Sequence, residues 1–144
     1  MKPKLNCVMI IDDDEATNFF NQMIVEKSGC TDHIMVSQSG QEALEYLTNS
    51  IGCTDEKKIF PCPSLIFLDI NMPAMNGWEF LEQYKKLSKE QKADIVVVML
   101  TTSLFPEDMV KARDMPEISS FENKPLTPEK LDMVLKKHFA DLSP

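Results

Sequence analysis

The sequence predicts an α/β domain built on a parallel sheet with helices on both faces. Three observations lead there. Short apolar runs alternate five times with amphipathic stretches, the β–α order that gives such sheets. Two of the runs, SLIFL and DIVVVML, are apolar almost throughout, as strands buried on both faces must be. Acids, hydroxyls and a lysine stand just after the runs, and ligands in such sheets sit beyond the carboxyl ends of the strands.

The elements follow in order. Leu5 to Ile11 is a strand that ends abruptly in acids. Glu15 to Ser28 is a helix, with Ala16, Phe20, Met23 and Ile24 at helical spacing for its core face and Gly29 as its stop. His33 to Ser37 is a second strand. Ser39 or Gly40 opens a helix with Ala43, Leu44 and Leu47 on one face. Residues 49–63 have little periodicity and two prolines, and read as a loop longer than most connections. Ser64 to Leu68 is the third strand. Gly77 to Leu87 is a helix burying Phe80, Leu81, Tyr84 and Leu87. Asp94 to Leu100 is the fourth strand. Ser103 caps a helix with Pro106 in its first turn, running to about Asp114. Ile118 to Phe121 is the fifth strand. Thr127-Pro128-Glu129 starts a last helix that buries Leu131, Val134, Leu135 and either His138 or Phe139.

The 144 residues suit one compact domain, 1–144, with no output module. The chain is 43% hydrophobic and 26% charged, an ordinary globular balance. The net charge of −8 disfavours a nucleic-acid partner. No apolar run reaches the roughly 20 residues that span a bilayer, and the basic Met1 to Lys4 start lacks a signal peptide's core. The expected location is the cytoplasm. Cys7 reads as a small buried hydrophobe. Cys53 and Cys62 share the long loop, and cytosolic thiols stay reduced.

The strand ends carry the chemistry. Asp12, Asp13, Asp14 and Glu15 follow the first strand, Asp69 the third, Thr101 and Thr102 the fourth, and Lys124-Pro125 the fifth. The fold would gather them into one pocket. Two unit charges at about 4 Å repel by roughly 4 kcal/mol at an effective dielectric near 20. Clustered carboxylates therefore need a cation or strongly raised pKa values, and an all-oxygen set suits Mg²⁺. A carboxylate such as Asp69 can also act as a nucleophile towards phosphorus. The lysine and the Thr101 hydroxyl would then meet the phosphoryl oxygens.

Four separated segments carry a resemblance. VMIIDDDEAT, LIFLDINMPAMNGWEFL, VVVMLTTS and FENKPLT resemble, in order, the motifs of response-regulator receiver domains. The resemblance covers essentially the whole chain. It implies a flavodoxin-like, doubly wound sheet of five parallel strands in order 2-1-3-4-5, with five helices. It implies phosphorylation of Asp69, Mg²⁺ (or Mn²⁺) bound directly by Asp13, Asp69 and the Asn71 backbone carbonyl, and Asp12 acting mainly through water. Thr101 would be the switch hydroxyl, Lys124 the phosphate-contacting lysine and Phe121 the rotameric switch aromatic. The Lys124–Pro125 bond would be cis. The implied partners are a sensor histidine kinase or a histidine phosphotransfer protein, and a downstream protein target. Output would pass through the surface of the fourth helix, fifth strand and fifth helix.

There are departures from the family pattern. The third acid, Asp14, leaves the register of the acidic pair open by one place, and the end of the apolar strand at Ile11 favours Asp12 and Asp13. Thr102 stands where a smaller residue is common. Phe121 keeps an aromatic ring but lacks a tyrosine's hydroxyl. Trp78 reads as a half-buried core aromatic, the ten methionines mostly as gap fillers. The pair Glu129-Lys130 reads as a solvated helix face. His33 and His138 belong to no phosphodonor motif, so the donor histidine must come from elsewhere.

Rival readings differ in class. An Asp-nucleophile, Mg²⁺-dependent phosphatase normally wants a second acid two residues beyond the nucleophile, where Asn71 stands. A pseudo-receiver that binds partners without phosphorylation would not need the complete set of Asp12, Asp13, Asp69, Thr101 and Lys124. A flavin-binding relative would need a hydroxyl-rich first loop. The expected function is therefore phosphoryl acceptance in signalling, rather than enzymatic turnover of an external substrate.

Overall fold

The computed structural model describes residues 5, 7–49, 63–86, 96–101 and 106–139. The strands are β1 (Val8–Ile11), β2 (Ile34–Ser37), β3 (Leu65–Asp69), β4 (Val96–Thr101) and β5 (Ser120–Asn123). The helices are α1 (Glu15–Ser28), α2 (Gly40–Asn49), α3 (Gly77–Tyr84), α4 (Pro106–Asp114) and α5 (Pro128–His138). The strands form one sheet in the order β2-β1-β3-β4-β5, and every pairing is parallel. This is the doubly wound five-stranded architecture that the sequence predicts.

The central strands are buried on both faces because their side chains alternate between two cores. Met9, Ile11, Ile66, Leu68, Val97 and Met99 face one core with residues of α2 and α3. Val8, Ile10, Leu65, Phe67, Val98 and Leu100 face the other, covered by α1 and α5. Phe67 and Phe80 are among the largest fully buried side chains. Trp78 is half-buried against the first core, as expected, with Lys111 Nζ 4.8 Å from its ring centroid.

Local chemistry sets the element ends. Gly29 stops α1 in the left-handed region at φ 69°, and its N–H donates to the Glu26 carbonyl at 3.1 Å. Asn76 and Glu79 form a reciprocal capping box at the start of α3. Thr127 caps α5 as predicted, its side chain accepting from the Lys130 N–H at 3.1 Å, with Pro128 at the first position.

Some boundaries and faces differ from expectation. The first strand spans Val8–Ile11, and Leu5 makes only an isolated parallel bridge with Thr31. The fifth strand starts two residues later than the apolar pattern suggests. As an edge strand its side chains are half-buried or exposed, so hydropathy marks it poorly, and pairing with Val98 to Thr101 sets its span. In α1 the buried face is Asn18, Asn21, Ile24 and Val25, whereas Phe20 is 50% and Met23 36% exposed. Met109 and Met133 are also exposed, so not every methionine fills the core. In α5, Leu131 and Val134 are buried, Leu135 and Phe139 pack against them, and His138 Nε2 lies 3.0 Å from Ser120 Oγ.

Cys7 and Cys30 are buried free thiols. Cys53, Cys62, Leu87, Thr102, the Ser103 cap and nearly all of the long 49–63 loop lie outside the described residues. Among the described residues, no helix is long and apolar enough to cross a membrane.

Candidate functional site

The carboxyl ends of β1, β3, β4 and β5 converge because the parallel order places β1 and β4 on either side of β3, with β5 beyond β4. Asp12 is the first residue after β1 and Asp69 the last of β3. Their side chains are 4% and 5% exposed, an unusual burial for carboxylates without a partner. The partner is Lys124, just after β5. Its Nζ lies 2.7 Å from Asp12 Oδ2 and 2.9 Å from Asp69 Oδ1. Lys124 is itself held by its backbone N–H, which donates to the Thr101 carbonyl at 2.8 Å. The Lys124–Pro125 bond is cis, as the resemblance implies.

The acidic pair can now be placed. Asp12 uses both carboxylate oxygens within the protein: Oδ1 accepts the Asp14 N–H at 2.9 Å and Oδ2 takes Lys124. Asp13 is exposed. Asp14 is also exposed, but its carboxylate accepts the Thr17 hydroxyl, which holds its pKa below the ordinary value. Asp12, Asp13 and Asp69 each offer an oxygen, and these atoms lie within 4.8 Å of one another. Three carboxylates against one ammonium leave the cluster net negative, and an all-oxygen donor set fits a hard divalent cation. The residues present thus fit Mg²⁺ or Mn²⁺.

Burial raises the Asp69 pKa above its ordinary value. Lys124 opposes the rise, Asp12 adds to it, and the Asn71 N–H opposes it by donating to the carboxylate. For Lys124, burial disfavours the ammonium, but the two carboxylates outweigh it and its pKa is raised. Thr101, fully buried, ends β4 beside Asn123 in register. Phe121 is half-buried in β5, packed against the core that includes Met99. Phe121 and Met109 line a groove of about 300 Å³ between β5 and α4.

The loop after Asp69 is tightly folded. Gly77 N–H donates to the Ile70 carbonyl at 2.8 Å, and a Cβ at Gly77 would fall 2.5 Å from the Asp69 backbone oxygen. Only glycine permits that approach. Ala74 sits at φ 64°, a left-handed conformation that L-residues adopt at a cost.

Two residues of this neighbourhood escape a sequence reading. Asn18 is 3% exposed, and its amide donates to the Asp12 carbonyl at 2.7 Å. The signal for it was present: an asparagine one helical turn from Asn21 and two from Val25, on the face that packs inward. Lys130, expected on a solvated face, instead donates from Nζ to the carbonyls of Asn123 at 2.6 Å and Pro125 at 3.0 Å. No sequence signal marks that contact, because any lysine near a helix start reads as solvated.

Comparison with known proteins agrees with this fold. The family model of the response regulator receiver domain matches residues 8–136. The probable methanogenesis regulatory protein FilR2 of Methanothrix harundinacea is 28% identical over 130 residues, 90% of this chain and 79% of that protein. Hybrid signal transduction histidine kinase C of Dictyostelium discoideum is 34% identical over 79 residues, which cover 52% of this chain but only 6% of the kinase. The crystal structure of a two component response regulator from Cytophaga hutchinsonii matches with a TM-score of 0.81 at 32% identity, covering 95% of this chain and 98% of that one. With the receiver family's sheet order and an acid cluster bridged by a lysine at its strand ends, the chain belongs to the response regulator receiver domains of two-component signalling.

Proposed function

We propose that this receiver takes a phosphoryl group onto Asp69 from a phosphohistidine of a sensor kinase or histidine phosphotransfer protein. The observation that carries the reading is Lys124 Nζ bridging Asp12 and Asp69 at the mouth of the sheet. An ammonium in hydrogen-bond reach of the acceptor carboxylate is placed to meet the phosphoryl oxygens as they arrive. A carboxylate oxygen of Asp69 attacks phosphorus, the N–P bond of the donor breaks, and its electron pair returns to the imidazole nitrogen.

Asp13, Asp69 and the Asn71 carbonyl would hold Mg²⁺ or Mn²⁺ directly, and Asp12 through water. The occupied oxygens of Asp12 and the exposed carboxylate of Asp13 support that division. The ion supplies charge neutralisation for the transferring group. Thr101 would donate its hydroxyl to a phosphoryl oxygen, and Phe121 would follow it inward. The α4–β5–α5 surface then changes for a downstream protein. Water attack on phosphorus, with cleavage of the bond to Asp69, returns the resting state. We read residues 8–136 as one receiver domain whose switch surface meets a downstream protein.

A donor must approach Asp69 along the surface beside it. A groove of about 240 Å³ runs there, lined by Ala16, Thr17, Phe20, Lys124, Pro125 and Leu126, among others. The exposed Phe19 and Phe20 on α1 give that side an apolar surface suited to a partner.

Incubation with acetyl phosphate and Mg²⁺, read by intact mass, tests the proposal. Wild type should gain one phosphoryl mass, and neither Asp69→Asn nor a chelated sample should gain any. A wild type that stays unlabelled counts against it.

A further inference from the structure

We propose that Lys130 is a positioning residue that holds Lys124 in reach of the acceptor site. Its ammonium bonds the carbonyls of Asn123 and Pro125, the residues on either side of Lys124. Its own backbone N–H bonds the Thr127 hydroxyl, so the clamp is anchored in the capped first turn of α5. The Lys124 N–H is fixed by the Thr101 carbonyl. Three separate contacts thus immobilise the backbone from which the Lys124 side chain projects.

The need for such a clamp follows from the chemistry. The inference rests on the reading of Asp69 as phosphoacceptor. In the resting state Lys124 Nζ bonds Asp12 and Asp69, and on phosphorylation it must turn to a phosphoryl oxygen instead. A long side chain can retarget over a small distance only if its backbone stays still, since small misplacements cost rate steeply. Asn123 and Pro125 are exposed, so water would otherwise compete for their carbonyls. Charge-assisted bonds from one ammonium to both carbonyls close that option. Among the described residues the Lys130 ammonium bonds the Asn123 and Pro125 carbonyls and none of Asp12, Asp13 or Asp69, so it acts on the site through Lys124.

Two measurements test this, one of them independent of phosphorylation. Hydrogen exchange of the Lys124 amide should speed up roughly tenfold in Lys130→Met, the order expected for losing the ammonium's two charge-assisted bonds at an exposed site, while the Met99 amide in β4 keeps its rate. Equal acceleration at both amides would mean only a loss of global stability, and overturns the inference. Initial labelling rates by acetyl phosphate in saturating Mg²⁺ form the second arm. Lys130→Met should slow labelling roughly tenfold, Lys130→Arg should recover it to within about threefold, and adding Lys130→Met to Lys124→Met should change the rate less than about twofold. An unchanged rate in Lys130→Met, or the same loss in both backgrounds, overturns it. If Lys124 amide exchange responds as stated but wild type is never labelled, the clamp stands and the phosphoacceptor reading fails.

Discussion

Replacing Lys124 by methionine keeps the side chain's length and removes the one positive charge that, among the described residues, bridges Asp12 to Asp69. The carboxylates are then buried together and unbalanced. Their nearest oxygens lie within 4.8 Å of each other, so the repulsion of two such charges is at least about 3.5 kcal/mol at an effective dielectric near 20. Breaking a buried pair by removing one partner costs roughly 3–5 kcal/mol. Lys124 is 18% exposed, which places the cost at the lower end, about 3 kcal/mol at pH 7 without divalent cation. With a urea slope of about 2 kcal/mol per molar, the unfolding midpoint should drop by roughly 1.5 M in EDTA. The sign with pH is fixed. The Asp69 pKa in the folded protein lies above its ordinary 3.8, raised by burial, and losing Lys124 raises it further. A group raised in this way costs nothing below its unfolded pKa and destabilises as pH rises through the folded one. The deficit of Lys124→Met should therefore shrink on acidification from pH 7 towards pH 4. In wild type the Lys124 contribution is complete at pH 7, since its raised pKa defers the loss to above 10.5. Urea melts of both proteins at pH 7 and pH 4.5 measure this directly. A variant within about 0.5 kcal/mol of wild type at pH 7, or a deficit that grows on acidification, refutes the reasoning.

Divalent cation should stabilise the native state. Mg²⁺ at 100 times its Kd adds about 2.7 kcal/mol, a rise in Tm of roughly 5–10 °C for a chain of this size, and Asp13→Asn should lose most of it in thermal melts. Ala74→Gly should gain about 0.5–1 kcal/mol in urea melts, since relief at φ 64° exceeds the added chain entropy; a loss of stability would deny the strain. Phe20→Asp should leave labelling by acetyl phosphate intact yet slow transfer from a phosphohistidine donor about tenfold or more, because the side chain is half exposed and touches the reaction only through a partner's approach. Equal rates with both donors would remove α1 from the docking surface.

Much of the fold is legible because two periodicities dominate it. LIFLD and VVVMLT sit between two cores and are apolar at every position but the last, so sequence alone marks them as central strands. The Thr127-Pro128 start of α5 is legible because a cap is a local bond. The α1 face is not. Its inward side near the strand end carries Asn18, whose amide satisfies the Asp12 carbonyl, and an apolar residue there would leave that carbonyl without its donor. Apolar periodicity therefore points to Phe20 and Met23, which face out. The candidate site is legible as a set of residue types at strand ends. The roles within it are less so, because Lys124 meets Asp12 across 112 positions of sequence and only folding shows which oxygens are already taken. Asp14 illustrates the limit: it follows the same strand as Asp12, yet its exposed carboxylate accepts the Thr17 hydroxyl.

The most direct test of the central claim is to trap the acyl phosphate where it forms. Borohydride reduces an aspartyl phosphate to homoserine, so protein treated with acetyl phosphate and Mg²⁺, reduced and digested, reports its own acceptor by peptide mass. The account predicts homoserine at position 69 and at none of positions 12, 13 or 14. Homoserine at any of those three, or an unmodified Asp69 in fully labelled protein, would contradict it.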